Sequence, residues 1–235
     1  MTDLGRDRDV DLEAVAQLPS RLAAVRERLD ATGRGDSVEL LAVTKTRSAA
    51  VARAAFDLGL VDLGENYAQE LEAKAAELRD AAELPDAGVR WHMIGGLQRN
   101  KVKKLAGAVW CWQSVDRESL VTEIARRDPG ARILVQVRPS GERDAKAGCD
   151  LDAAPRLVEL AHDAGLQVLG CMTVGPTDAA ADPRPTFAAT RSLVERLGLS
   201  VCSMGMSRDL EAAVSEGSTM VRIGTDLFGT RKYAR

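Results

Sequence analysis

The sequence predicts a single α/β domain folded as a (β/α)8 TIM barrel with an extra helix at its amino terminus. Three observations predict it. Eight short apolar runs alternate with longer stretches of helical pattern, the runs are continuously apolar, and glycines stand just past several helical stretches. Continuous apolar strands are buried on both faces, as in a parallel sheet covered by helices. Eight of them with helical crossovers favour a closed barrel over an open doubly wound sheet, and 235 residues is a length such a barrel uses.

Leu12, Val15, Leu18, Leu22, Val25 and Leu29 recur at spacings of three and four, so an amphipathic helix is expected over Asp11–Ala31. Pro19 is expected to bend it or to mark its start. Residues 1–10 are expected to form a flexible terminus, and 11–235 one domain. The apolar runs are Val38–Val43, Leu60–Leu63, Val89–Ile94, Ala108–Trp112, Ile133–Val137, Gln167–Met172, Leu199–Ser203 and Met220–Ile223. Between them, helical pattern covers Ser48–Leu58, Asn66–Leu78, Leu97–Leu105, Arg117–Arg126, Ala153–Ala164, Pro185–Leu197 and Ser207–Val214. Gly59, Gly165 and Gly198 are placed to stop three of these helices in a left-handed residue. The loop Pro176–Pro185 is expected to be the least ordered part.

With 45% hydrophobic and 29% charged residues the chain can bury a core, which excludes intrinsic disorder. Lys plus Arg (32) nearly balances Asp plus Glu (35), so composition gives no support to a dedicated nucleic-acid or membrane binder. The opening Met1–Glu13 alternates charges and lacks a signal-peptide core, and no apolar run approaches the roughly 20 residues of a membrane span. A soluble, cytoplasmic protein is expected. The four cysteines lack metal-ligand spacing, and the two histidines form no cluster with them, so reduced buried thiols are expected and no metal site.

Polar residues that follow the apolar runs would line the active face of such a barrel. Lys45, just after the first run, would present an amine whose pKa a low dielectric would depress, as a Schiff-base lysine needs; taken alone, a lysine there is more often a solvated loop residue. After the seventh run, Ser207 is placed to cap a helix and Gly205 allows close backbone approach; Gly224 and Thr225 follow the eighth. Loops after strands seven and eight are where these barrels hold phosphate, although a capped helix and an ordinary turn would read the same. Arg222, inside the last run, must find an acceptor, a ligand or a carboxylate such as Glu65. Glu65, Asn66 and His92 could line the same mouth, while Arg99, Lys101, Lys103 and Lys104 make a basic helix surface.

The segments AVTKT (Ala42–Thr46), GENYAQE (Gly64–Glu70), WHMIGGLQRNK (Trp91–Lys101), GCMTVGP (Gly170–Pro176), SMGMSRDLEAAVSEGSTMVRIGT (Ser203–Thr225) and FGTR (Phe228–Arg231) resemble the pyridoxal phosphate homeostasis protein family, which is similar to the amino-terminal barrel of alanine racemase. The resemblance implies a fold-type III barrel holding pyridoxal 5′-phosphate (PLP) as a Schiff base on Lys45. It further implies that Ser207, Gly224 and Thr225 bind the phosphate, that Arg222 approaches the pyridine nitrogen, and that Asn66 and His92 line the pocket. Met93, Gln136 and the Arg138–Pro139 pair depart from the family's usual pattern.

An arginine at the pyridine nitrogen can only donate, so it leaves that nitrogen unprotonated and the ring a weak electron sink. By the resemblance, racemases add a tyrosine base from a second domain; this chain is expected to lack that domain, and Tyr67 and Tyr233 are not obvious substitutes. The expected function is therefore a monomeric PLP carrier acting in vitamin B6 homeostasis, with PLP-dependent apo-enzymes as recipients and no catalytic residues. A single-domain amino-acid racemase is the alternative, and a barrel binding RNA or protein through its basic helix is the third.

Overall fold

The computed structural model describes residues 3–80, 88–138, 147–178 and 180–230. The chain runs α1 (Asp3–Ala31), β1 (Glu39–Val43), α2 (Ala49–Asp57), β2 (Asp62–Glu65), α3 (Ala68–Asp80), β3 (Arg90–Met93), α4 (Arg99–Leu105), β4 (Val109–Val115) and α5 (Glu118–Arg127). It continues through β5 (Arg132–Arg138), β6 (Cys149–Asp150), α6 (Ala154–Asp163), β7 (Gln167–Met172), α7 (Arg184–Arg196), β8 (Val201–Ser203), α8 (Leu210–Ser215), β9 (Met220–Ile223) and α9 (Thr225–Phe228).

Eight strands close a parallel barrel in the order β1-β2-β3-β4-β5-β7-β8-β9, and the ring shuts where Glu39–Ala42 pairs in register with Met220–Ile223. Each of the eight apolar runs contributes one barrel strand. The ninth, β6, is a two-residue strand beside β5 and outside the ring; two residues carry no periodicity, so no pattern announced it, nor the four-residue α9. Gly59, Gly165 and Gly198 take φ of +85, +78 and +65 at the ends of their helices, as expected.

Two apolar layers follow from the strand period of two. Ala42, Leu63, Trp112, Val135 and Val221 face outward into the main core shared with the helices, while Leu41, Val43 and Met220, and separately Cys111, Leu134 and Met172, fill the barrel interior. The helix α1 begins at Asp3 and passes through Pro19 without ending there. Interior proline costs a helix about 3 kcal/mol, which burial of Leu18, Leu22, Val25 and Leu29 on the same face offsets. It packs on α2, α8 and α9, beside the ends of the first and last barrel strands.

Cys111, Cys171 and Cys202 are buried, Cys149 is half-buried, and all four are free thiols. Burial pushes Cys171 and Cys202 up to about 12 and Cys149 to about 11, so at neutral pH they are packing residues rather than nucleophiles. Among the described residues no helix is long and apolar enough to cross a membrane, and no cluster of metal-ligating side chains occurs.

Candidate functional site at the carboxy-terminal mouth of the barrel

Lys45 stands two residues beyond β1, in phase with the inward-facing Leu41 and Val43. The expectation of a desolvated amine is corrected: the strand ends at Val43, so position 45 lies past the packed layers and its side chain is exposed. Among the described residues it has no hydrogen-bond or ion-pair partner. Its neighbours, by contrast, are pinned on both sides. Thr44 is buried, donates its hydroxyl to Glu65 Oε1 at 2.6 Å, and accepts at its carbonyl from Lys74 Nζ at 2.8 Å. Thr46, held at φ +60, donates its backbone N–H to Glu70 Oε2 at 2.6 Å. A β-branched residue in that left-handed region costs of order 1–3 kcal/mol, and it persists where surrounding contacts over-determine it. Arg47 then donates to the carbonyls of Phe228 and Gly229, both at 2.7 Å.

Lys74 is one of the residues that sequence reading missed. It is 5% exposed and lies 2.7 Å from Glu65 Oε1 and 3.5 Å from Glu70 Oε2, so one buried ammonium serves the elements flanking Lys45. Burial pushes the Glu65 carboxyl up, with Lys74 and the Thr44 hydroxyl pulling against it. The pairing also corrects the alternative of a Glu65–Arg222 salt bridge. β2 turns Glu65 outward toward α3, whereas Arg222 lies on the barrel's inner side.

Arg222 is 4% exposed. Its Nη1 donates to the Ser203 carbonyl at 2.7 Å and to Ser203 Oγ at 2.9 Å, and its Nη2 donates to the Thr173 carbonyl at 2.7 Å. Among the described residues no carboxylate pairs with it. Desolvation pushes the guanidinium down to about 10, which still leaves it charged at neutral pH.

His92 is wholly buried beneath the mouth, with both ring nitrogens engaged: Nε2 lies 2.9 Å from Asp62 Oδ1 and Nδ1 lies 2.8 Å from Gln113 Nε2. It pairs in register with Gly64 and Cys111, so its ring lies on the inner side of the barrel, closed off from solvent. Ser203 Oγ donates to Gln113 Oε1 at 2.8 Å, so a continuous polar chain runs from Arg222 down to Asp62 at the start of β2. Burial alone would raise the Asp62 carboxyl, but hydrogen bonds from His92 and Arg90 hold it below its ordinary value.

Ser207 does not cap α8. Asp209 occupies that position, two residues later than expected, because the turn 206–209 is closed by Asp209 Oδ1 accepting from the Met206 N–H at 2.6 Å. Ser207 Oγ instead accepts from the Asp226 N–H at 3.2 Å, which joins the β8 loop to the Gly224–Thr225 turn after β9. Gly224 packs directly on Val43, since a Cβ there would stand 3.2 Å from the Val43 carbonyl oxygen. The loops carrying Lys45, Ser207, Gly224 and Thr225 thus converge. Arg28 of α1, which no local pattern marks, clips them: it donates to the Ser207 carbonyl at 3.0 Å and pairs with Asp226 at 2.5 Å and Glu211 at 2.7 Å.

Asn66 is half-buried, and Gly95 packs so closely on its backbone that any Cβ there would strike the Asn66 carbonyl. On α4, Arg99, Lys103 and Lys104 are exposed and Lys101 half-buried; Lys104 meets Glu72 at 3.5 Å. Met93 is buried, Gln136 donates to the Ala147 carbonyl at 2.9 Å, and Pro139 and Tyr233 lie outside the described residues.

Residues 14–232 match the family described as alanine racemase, N-terminal domain. A pyridoxal phosphate homeostasis protein of Pseudomonas aeruginosa is 41% identical over 94% of this chain and 98% of its own length. The chain belongs to the pyridoxal phosphate homeostasis protein family. Among solved structures, PipY of Synechococcus elongatus PCC7942, with PLP bound, is 34% identical with a TM-score of 0.74, covering 91% of this chain and 100% of that one. An alanine racemase of Clostridium difficile 630 shares the fold at 14% identity and a TM-score of 0.65, over 84% of this chain and 53% of that one. Two of the motifs that carry the family resemblance, AVTKT and SMGMSRDLEAAVSEGSTMVRIGT, bear the loops that meet at the mouth.

Proposed function

We propose that the protein holds PLP at this mouth as a Schiff base on Lys45 and serves in intracellular vitamin B6 homeostasis, delivering cofactor to PLP-dependent apo-enzymes rather than catalysing amino-acid chemistry. The observation that carries the reading is the meeting, at one end of one barrel, of an unpartnered lysine, a buried donor-only guanidinium and two joined loops with backbone N–H groups. These residues fit the group. Lys45 Nζ, when neutral, would condense with the aldehyde carbon, forming the C=N bond and releasing one water, and hydrolysis reverses the step. Ser207, Gly224 and Thr225 would hold the phosphate, and Asn66 would border the ring. Arg222 would donate to the pyridine nitrogen, which a guanidinium cannot protonate. Bound PLP supplies an electron sink, and that contact keeps it weak. Family relatives named for homeostasis and PipY crystallised with PLP support the reading.

The test is exchange of the α-proton of a panel of L- and D-amino acids in D2O by the PLP-loaded protein. Negligible exchange is expected. Turnover in the ordinary enzyme range of ~1–10³ per second would overturn the carrier assignment in favour of a racemase. The phosphate assignment is tested separately. A hydrogen bond to a charged acceptor contributes about 1.5–3 kcal/mol, so Ser207→Ala should weaken PLP binding roughly ten- to a hundredfold and leave unphosphorylated pyridoxal little changed. Equal losses for the two ligands in equilibrium dialysis would remove Ser207 from the anion site.

A further inference from the structure

The polar chain through the barrel interior has a direction. A guanidinium only donates and a carboxylate only accepts, so the two ends are fixed by chemistry. Ser203 Oγ accepts from Arg222 Nη1 at 2.9 Å, which commits its single proton to Gln113 Oε1 at 2.8 Å. The Gln113 amide nitrogen therefore faces His92 Nδ1 at 2.8 Å and donates to it. A neutral imidazole that accepts at Nδ1 carries its proton on Nε2, where Asp62 Oδ1 receives it at 2.9 Å. Every link donates the same way, from the cation at the mouth to the carboxylate at the far end. Arg222, Ser203, Gln113, His92 and Asp62 are all buried, so no bulk water competes for the links.

We infer that Ser203, Gln113, His92 and Asp62 are positioning residues that hold the Arg222 guanidinium in one orientation and thereby set its contact with the ring of a ligand in the mouth. Reversing any one link would leave two donors or two acceptors facing each other, so the chain admits one proton arrangement while His92 is neutral. Three of the five guanidinium N–H donors are taken by Ser203 and Thr173, and their placement decides where the others point. The inference rests on PLP occupying the mouth, but the proton arrangement within the chain does not.

Two measurements test it. The ring ¹⁵N resonances of ligand-free protein report the His92 tautomer, and only exposed His162 must be told apart from it. A proton on Nε2 alone is expected; a proton on Nδ1, or on both nitrogens at neutral pH, would overturn the chain. Gln113→Met keeps the volume while removing both links. It should take up PLP on Lys45 about tenfold more weakly than wild type, with a displaced absorbance maximum, a signature that a merely structural role would not move. A folded variant with wild-type affinity and spectrum would overturn the positioning role. If Gln113→Met does not fold, Ser203→Ala, which cuts the chain at the Arg222 end, is read the same way and judged by the same two outcomes. Failure of wild-type protein to take up PLP would instead sink the assignment of the mouth, and with it the ligand half of this inference, leaving the tautomer result to decide the chain.

Discussion

Lys45→Ala is expected to abolish covalent attachment of PLP completely: no Schiff-base absorbance in the loaded protein and no cofactor fixed to any peptide after borohydride reduction. The substitution is clean because the Lys45 side chain is exposed and without a partner among the described residues. Such surface changes usually alter stability by less than about 0.5 kcal/mol, so a lost chromophore would report lost chemistry and not a lost fold. Non-covalent retention through the phosphate loops should survive in part. Absorbance spectra and peptide mapping of reduced wild type and variant decide the matter. Recovery of the label on Lys101, or on any lysine other than Lys45, would refute the assignment.

The second large effect is on stability. Lys74→Met should destabilise the fold by about 3–5 kcal/mol, because it strips the counter-ion from a fully buried carboxylate. Glu65 is 0% exposed, its Oε2 has no hydrogen-bond partner among the described residues, and Lys74 lies 2.7 Å from its Oε1. A loss of that size is a large fraction of the ~5–15 kcal/mol that holds a domain folded. The same change frees the Thr44 carbonyl, so the loop bearing Lys45 should loosen and PLP uptake should slow. Adding Glu65→Gln, which removes the stranded charge, should restore most of the stability. Urea midpoints of the two variants test this; a loss under about 1 kcal/mol in the single variant, or no recovery in the double, would show that the pair carries little of the load.

The sequence by itself determined the barrel. Each run such as Ile133–Val137 or Met220–Ile223 is apolar because its strand is covered on both faces, and that is a local property which spacing and composition express directly. It also located the loops that bear Lys45, Ser207, Gly224 and Thr225, since these follow strands whose ends the pattern locates. Pro19 does not mark the start of α1, because helix propensity is local, whereas the packing of Leu18 and Leu22 that carries α1 through it is not. Only the tertiary structure decided what each polar group meets. β9 lies beside β8 and turns Arg222 into the barrel, so Arg222 finds the Ser203 and Thr173 carbonyls and not the outward-facing Glu65, and Arg28 of α1 finds Ser207 and Asp226 some 180–200 positions along the chain. Lys74 reads in the sequence as one more helix-surface lysine. It is buried because α3 lies against the ends of β1 and β2, where the Thr44 carbonyl and Glu65 supply acceptors that no spacing within α3 reveals.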